Sequence, residues 1–341
     1  MVLFQFWKYF VFQPSDEDSD QVGLNENECD DHEFLEDEDL FYSVENNGQL
    51  FSDDVLFLIL NFLDLKFIIS VCKQVSKQWY RKSLDMKLKL NFSESKKMQQ
   101  MSFLEKFITI PSLKSLTDLN IGFNEIASDG LKKLVASKIM QNLTKLDLKS
   151  NRIDGEGAVA IGTSPFMHNL RELNIGRNPI GNVGVSTMVK SQYLSNLKIL
   201  DLSDTRIGDY AVHSITTSPY MSNLTSLNLY GNMVREEGVK FIANSPIMKH
   251  LTVLILNGNH ILGDEAAISI AQSEYMSNLT FLNLYNGNIG CEAVKVIASS
   301  TYLKNLTSLN INSNNIKTNG LEALSSSETL KFETIAFRLQ Y

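Results

Sequence analysis

Cysteine is scarce in this chain of 341 residues: Cys29, Cys72 and Cys291. Their odd number and wide scatter exclude a disulfide framework, and none has the short spacing of a zinc site. Histidine is equally thin, with His32, His168, His213, His250 and His260 dispersed. No Gly-rich phosphate loop and no nucleophile elbow appears, so neither catalytic residue nor metal nor cofactor is expected. No apolar run reaches the roughly 20 residues that span a bilayer. Met1 to Phe12 is aromatic-rich, yet Trp7, Lys8 and Tyr9 interrupt it and no small-residue cleavage site follows. A secretory leader is therefore not expected, and the expected location is intracellular, the cytoplasm with the nucleus as a further compartment.

Basic residues are nearly missing from the start of the chain. Met1 to Gly48 holds fourteen acidic residues and one basic one, Lys8, whereas the remainder holds thirty basic and twenty-five acidic residues. Residues 13–48 lack the apolar density to fold, so residues 1–48 read as an acidic disordered arm. Elsewhere the cations are spread thinly and not gathered in a stripe, which argues against a nucleic-acid partner.

What is present is a repeat. Leu143-Thr144-Lys145-Leu146-Asp147-Leu148-Lys149-Ser150-Asn151-Arg152-Ile153 has counterparts beginning at Leu116, Leu170, Leu197, Leu224, Leu251, Leu279 and Leu306. Starts are 27 residues apart, except the 28-residue step from Leu251 to Leu279. That period, with Leu, Asn and Ile at fixed offsets, is the signature of a leucine-rich repeat. Leu146 and Leu148 alternate with Lys145, Asp147 and Lys149, as a strand with one buried face should. Asn124, Asn151, Asn178, Asn232, Asn259 and Asn314 fall where the chain turns away, where an amide side chain can both donate to and accept from buried backbone. Thr205 and Gly287 break this column. Threonine can partly substitute and glycine cannot, so Asn286 or Asn288 is expected to shift in, or the chain to become irregular there.

The second half of each unit starts near Gly157, Gly184 or Gly238 and places apolar residues at helical spacing, such as Val159 and Ile161 or Val239 and Ile242. Ser-Pro at 164–165, 218–219 and 245–246 ends the helix. Met86, Leu88 and Leu90 read as an earlier strand, followed by a helix through Met101, Leu104 and Phe107; Phe332-x-x-Ile335-x-Phe337 reads as a closing strand. The expected fold is an α/β solenoid, a leucine-rich-repeat horseshoe with parallel strands concave and helices convex, occupying 116–341 behind a connecting segment at 84–115. It resembles the ribonuclease-inhibitor type of repeat. Asn-Leu-Thr at 142–144, 223–225, 278–280 and 305–307 matches a glycosylation acceptor, but reads as a by-product of the repeat.

Residues 49–83 do not follow the repeat. Ser52, Asp53 and Asp54 mark a helix start and Asp64 a second one. Leu56, Ile59, Leu60, Phe62, Leu63, Ile68, Val71, Val75 and Trp79 are too many apolar side chains for roughly thirty residues to bury among themselves. With Leu50, Phe62-Leu63-Asp64 and Val75-Ser76-Lys77-Gln78-Trp79, this stretch resembles an F-box, a small all-α helical module; Phe51 stands where that family has proline. An F-box ahead of ribonuclease-inhibitor-like repeats resembles the leucine-rich-repeat class of F-box proteins. The resemblance implies a non-catalytic adaptor. Leu50, Phe51, Leu56, Ile59, Leu60, Val71, Val75 and Trp79 would dock on the Skp-type linker of a cullin-RING ubiquitin ligase, while the repeats hold a target protein. The chain would be a monomer apart from that complex. Other readings stay open: a protein-binding scaffold or inhibitor whose helical module only caps the array, or a regulator resembling the Ran GTPase-activating proteins. The last family carries its acidic segment after the repeats, not before them.

On the concave face the middle slot reads Asn120, Asp147, Asn174, Asp201, Asn228, Ile255, Asn283 and Asn310. A slot that is Asn or Asp in nearly every unit belongs to the scaffold. Tyr230, Val253, Ile255, Phe281 and Tyr285 break the polar habit in three adjacent repeats and form the candidate site for a protein target. Lys145, Lys149 and Arg177 would add a charged rim.

Overall fold

A computed structural model describes residues 87–94, 101–109, 111–259, 262–330 and 334–336. All of these lie in one compact unit, Phe51–Tyr341. Within it a single sheet runs in sequence order through β1 (Leu88–Asn91), β2 (Leu116–Asn120), β3 (Lys145–Asp147), β4 (Glu172–Asn174) and β5 (Ile199–Asp201), then β6 (Ser226–Asn228), β7 (Val253–Ile255), β8 (Phe281–Asn283), β9 (Ser308–Asn310) and β10 (Thr334–Ala336). Every neighbouring pair is parallel. Parallel strands need a crossover, and each connection supplies a helix. These are α1 (Met101–Phe107), α2 (Ala127–Val135), α3 (Gly155–Thr163), α4 (Gly181–Met188), α5 (Asp209–Thr217), α6 (Glu236–Ala243), α7 (Gly263–Ala271), α8 (Cys291–Ala298) and α9 (Thr318–Ser325). The result is an open leucine-rich-repeat solenoid.

The core is the interior of this stack. Leu143, Leu146 and Leu148 are buried, as are Leu170, Leu173 and Ile175 and their counterparts onward to Leu306, Leu309 and Ile311. From the helices come Ala158 and Ile161, Val185 and Met188, and Val239 and Ile242. Val159 is only half-buried, so Ala158 holds the inward position expected of it. Helices also begin upstream of the marker glycines, at Gly155, Gly181 and Glu236. At α3 the reason is visible: Asp154 caps the helix, accepting from the N–H groups of Glu156 and Gly157 at 3.0 and 3.3 Å.

Four ladders of side chains stitch the coils together. In the first, the Nδ2 of Asn178 donates to Leu148 O at 3.0 Å and Ile175 O at 2.9 Å, while its Oδ1 accepts from Asn151 N and Ile153 N. Asn151, Asn232, Asn259 and Asn314 repeat the pattern. Thr205 keeps part of it, donating through Oγ1 to Leu202 O at 2.6 Å. At Gly287 the expected shift does not occur. Gly287 stays buried in the asparagine slot and its N–H donates to Asn314 Oδ1 at 2.9 Å, with Asn286 and Asn288 exposed on either side. The strands flanking it keep their register, Val253 to Phe281 to Ser308, so the missing amide is tolerated and not replaced.

The second ladder lies where each helix ends. Ser164, Ser218, Ser245 and Ser273 donate to the carbonyls of Val135, Val189, Thr216 and Ala243 in the preceding coil, and their oxygens also accept the N–H opening a 3-10 turn. Proline follows three of these four serines, where it stops the helix as its spacing predicts. The third and fourth ladders sit where the strands start. Asn142, Asn223, Asn278 and Asn305 donate to Lys114 O, Ser195 O, Lys249 O and Ser277 O, and Thr144, Thr225, Thr280 and Thr307 donate to the threonine or lysine carbonyl one coil back. Both polar residues of each Asn-Leu-Thr therefore have structural work in the repeat.

Candidate protein-binding face

The middle slot of the sheet face is built into the turns. In seven coils its side-chain oxygen accepts the N–H two residues on: Asn120 from Gly122, Asp147 from Lys149, Asn174 from Gly176, Asp201 from Ser203, Asn228 from Tyr230, Asn283 from Tyr285 and Asn310 from Asn312. Across strands, Asn174 and Asn228 donate to Asp147 and Asp201 at 3.1 and 2.9 Å. These side chains hold the chain's exit from each strand and are scaffold, as their periodicity implies.

Ile255 interrupts that row. It has no oxygen to receive Asn257 N–H, and the Oδ1 of Asn257 is itself buried without a partner among the described residues. Around this break lie the five candidate residues. Val253 and Phe281 are register partners on β7 and β8, and Ile255 lies between Asn228 and Asn283 on the same strands' neighbours. Those three are half-buried, whereas Tyr230 and Tyr285 are 38% and 40% exposed just past β6 and β8. Tyr230 has room because Gly258 (φ +74°) lies beneath it: a Cβ there would sit 3.1 Å from the ring's Cε2. Gly231 (φ +67°) is stricter, since a Cβ would fall 2.0 Å from Asp204 Oδ1.

One contributor escaped the sequence pattern. Ile199, 39% exposed, occupies on β5 the slot held by Val253 and Phe281, with Ser226 between them in register. It could have been found by comparing that one column.

Two of the three charged residues expected to rim the site, Lys145 and Arg177, are paired with neighbouring carboxylates. Lys145 Nζ meets Glu172 at 3.1 Å across β3 and β4, and the Glu172 carboxylate holds its ammonium above the usual lysine range. Arg177 Nε lies 3.5 Å from Asp204. Exposed pairs of this kind contribute little to stability, but each neutralises its partner's field.

The residues assigned to linker docking, Leu50, Phe51, Leu56, Ile59, Leu60, Val71, Val75 and Trp79, lie outside the described residues, as does the acidic arm. Among the described residues no three His, Cys, Asp or Glu side chains are grouped to hold a metal ion, and no helix is long and apolar enough to cross a membrane.

Comparison with curated proteins gives no match. The family described as Leucine Rich repeat matches residues 112–135, 140–162, 166–189, 193–210, 248–271 and 302–325. Between these segments, β6 and β8 continue the same parallel register and so carry the repeat through. Leucine-rich repeats thus build the described sheet from β2 to β9, and such an array is a scaffold for binding protein.

Proposed function

We propose that this chain is the substrate-recognition adaptor of a Skp-cullin-F-box type ubiquitin ligase. The observation that carries the binding half is the uncovered patch of Tyr230, Val253, Ile255, Phe281 and Tyr285 on three adjacent strands, because aromatic side chains clustered on one face concentrate binding energy. The docking half rests on the resemblance of Leu50–Tyr80 to an F-box and on its place directly before the repeats. A target held on the sheet face would be carried to the ligase by the linker, with no chemistry performed by this chain.

The two halves have separate tests. Co-purification with the Skp-type linker is expected for the full chain and lost in Leu56→Asp and Trp79→Asp. Linker binding that survives both changes overturns the docking assignment, whereas a full chain that does not bind the linker at all is a protein-binding scaffold whose helical module is a cap. For the patch, Tyr230→Ala combined with Phe281→Ala should weaken target capture by about a hundredfold, two lost anchors at roughly 1–2 kcal/mol each, with linker binding unaltered.

A further inference from the structure

The sheet face changes character halfway along. In the four coils from β2 to β5 the segments Thr117–Asn124, Thr144–Asn151, Arg171–Asn178 and Lys198–Thr205 all carry charges, among them Asp118, Lys145, Asp147, Glu172, Arg177 and Asp204. In the next four, Thr225–Asn232, Thr252–Asn259, Thr280–Asn288 and Thr307–Asn315 contain no Asp, Glu, Lys, Arg or His. Eight consecutive strands therefore split into a charged half, partly self-neutralised through Lys145–Glu172 and Arg177–Asp204, and a half with no formal charge whatever. Tyr230, Val253, Ile255, Phe281 and Tyr285 lie wholly in the uncharged half, with Ile199 at its border on β5.

A partner group covering that half loses its water. A carboxylate or ammonium placed there would surrender hydration with no counter-charge on β6 to β9 to replace it, a penalty that an apolar or amide side chain does not meet.

We infer that the face formed by β6 to β9 binds an uncharged, apolar-rich peptide segment of a partner protein. This rests on the sheet face being the target-binding surface. It adds the class of segment recognised: one free of acidic and basic side chains over the contact, held by apolar burial, and therefore indifferent to salt.

The test uses the full chain against a displayed library of short random peptides, selected at low and at high salt. Peptides retained by the unaltered chain and lost on Tyr230→Ala with Phe281→Ala are the ones that report on this face. They should be poor in Asp, Glu, Lys and Arg, and their affinity should change less than about twofold across the salt range. Ser226→Lys with Ser308→Lys, both at half-buried surface positions, should redirect selection towards acidic peptides while circular dichroism stays unchanged. Charged peptides whose binding falls about tenfold with salt, yet still depends on Tyr230 and Phe281, would overturn the inference and leave the binding face standing. Failure to recover any peptide sensitive to Tyr230 and Phe281 would remove the face and the inference together.

Discussion

Asn178 meets five backbone groups drawn from two coils, and no other side chain of its size could do so. Asn178→Ala leaves buried carbonyls and amides unpaired and should cost about 3 kcal/mol, read as a lower urea midpoint with an unchanged slope. The reverse experiment is available at Gly287. Its backbone is not left-handed, and a Cβ would meet Leu284 O at 3.1 Å, Leu262 Cδ1 at 3.2 Å and Ile289 Cδ1 at 3.3 Å. Gly287→Asn should restore the missing rung and raise stability by about 1 kcal/mol, net of that crowding. Asp154 supplies a pH-dependent case. Ser128 Oγ donates to its carboxylate at 2.6 Å, and with the N–H groups of α3 this holds the carboxyl below its ordinary 3.8. A lowered folded value stabilises above the unfolded one, and that contribution disappears as pH falls through the folded one. Asp154→Ala should therefore cost about 1 kcal/mol at neutral pH, a gap to the unaltered protein that closes as the solution is taken below pH ~4. At this scale the asparagine column was legible because its spacing is fixed. The outcome at Gly287 was not, since spacing says where a rung belongs but not whether its absence can be borne.

Helices pack side by side at a distance that glycine permits. A Cβ on Gly184 would lie 2.6 Å from Gly155 Cα, and one on Gly162 would lie 2.9 Å from Met188 Cα, so α3 and α4 touch backbone to backbone. Gly162→Ala should force those helices apart and destabilise by about 2 kcal/mol, whereas Ala160→Gly on the half-buried flank should act only through helix propensity, costing about 1 kcal/mol; thermal melts of the two variants separate the causes. Strands and helix ends were readable from alternating leucines and from Ser-Pro. Helix starts were read too late, because the glycines were taken for the beginning when they mark close contacts inside the first turns. Val159 was misassigned for a related reason: in a helix this short, a shift of one residue in the start rotates a different side chain inward.

At the scale of the whole array, each described strand pairs only with its neighbours in sequence, and the pairings from β2 to β9 keep one parallel register. Removing one 27-residue period, Leu170 to Asn196, should therefore leave a folded protein in which Leu197 follows Asn169 as one coil start follows another. Its urea transition should remain single, with a slope smaller by about a tenth in proportion to the surface lost. The solenoid was legible from period alone, and the three-strand patch from five residues that broke a polar habit. The division into charged and uncharged halves was written in the same columns, but it gains meaning only once the ion pairs across β3–β4 and between Arg177 and Asp204 are seen. The module resembling an F-box stands on its sequence, outside the described residues.

Stacked parallel strands also make this face a ruler. Neighbouring graduations stand about 4.8 Å apart, while an extended chain advances about 3.3 Å per residue. Tyr230 and Tyr285, two graduations apart, are thus separated by about 10 Å, close to three residues of a peptide laid across the strands. Side chains of such a peptide that point the same way recur every second residue, out of step with the tyrosines, so one guest side chain cannot serve both rings in the same orientation. Whatever lies there must turn, or present different groups to its two aromatic contacts.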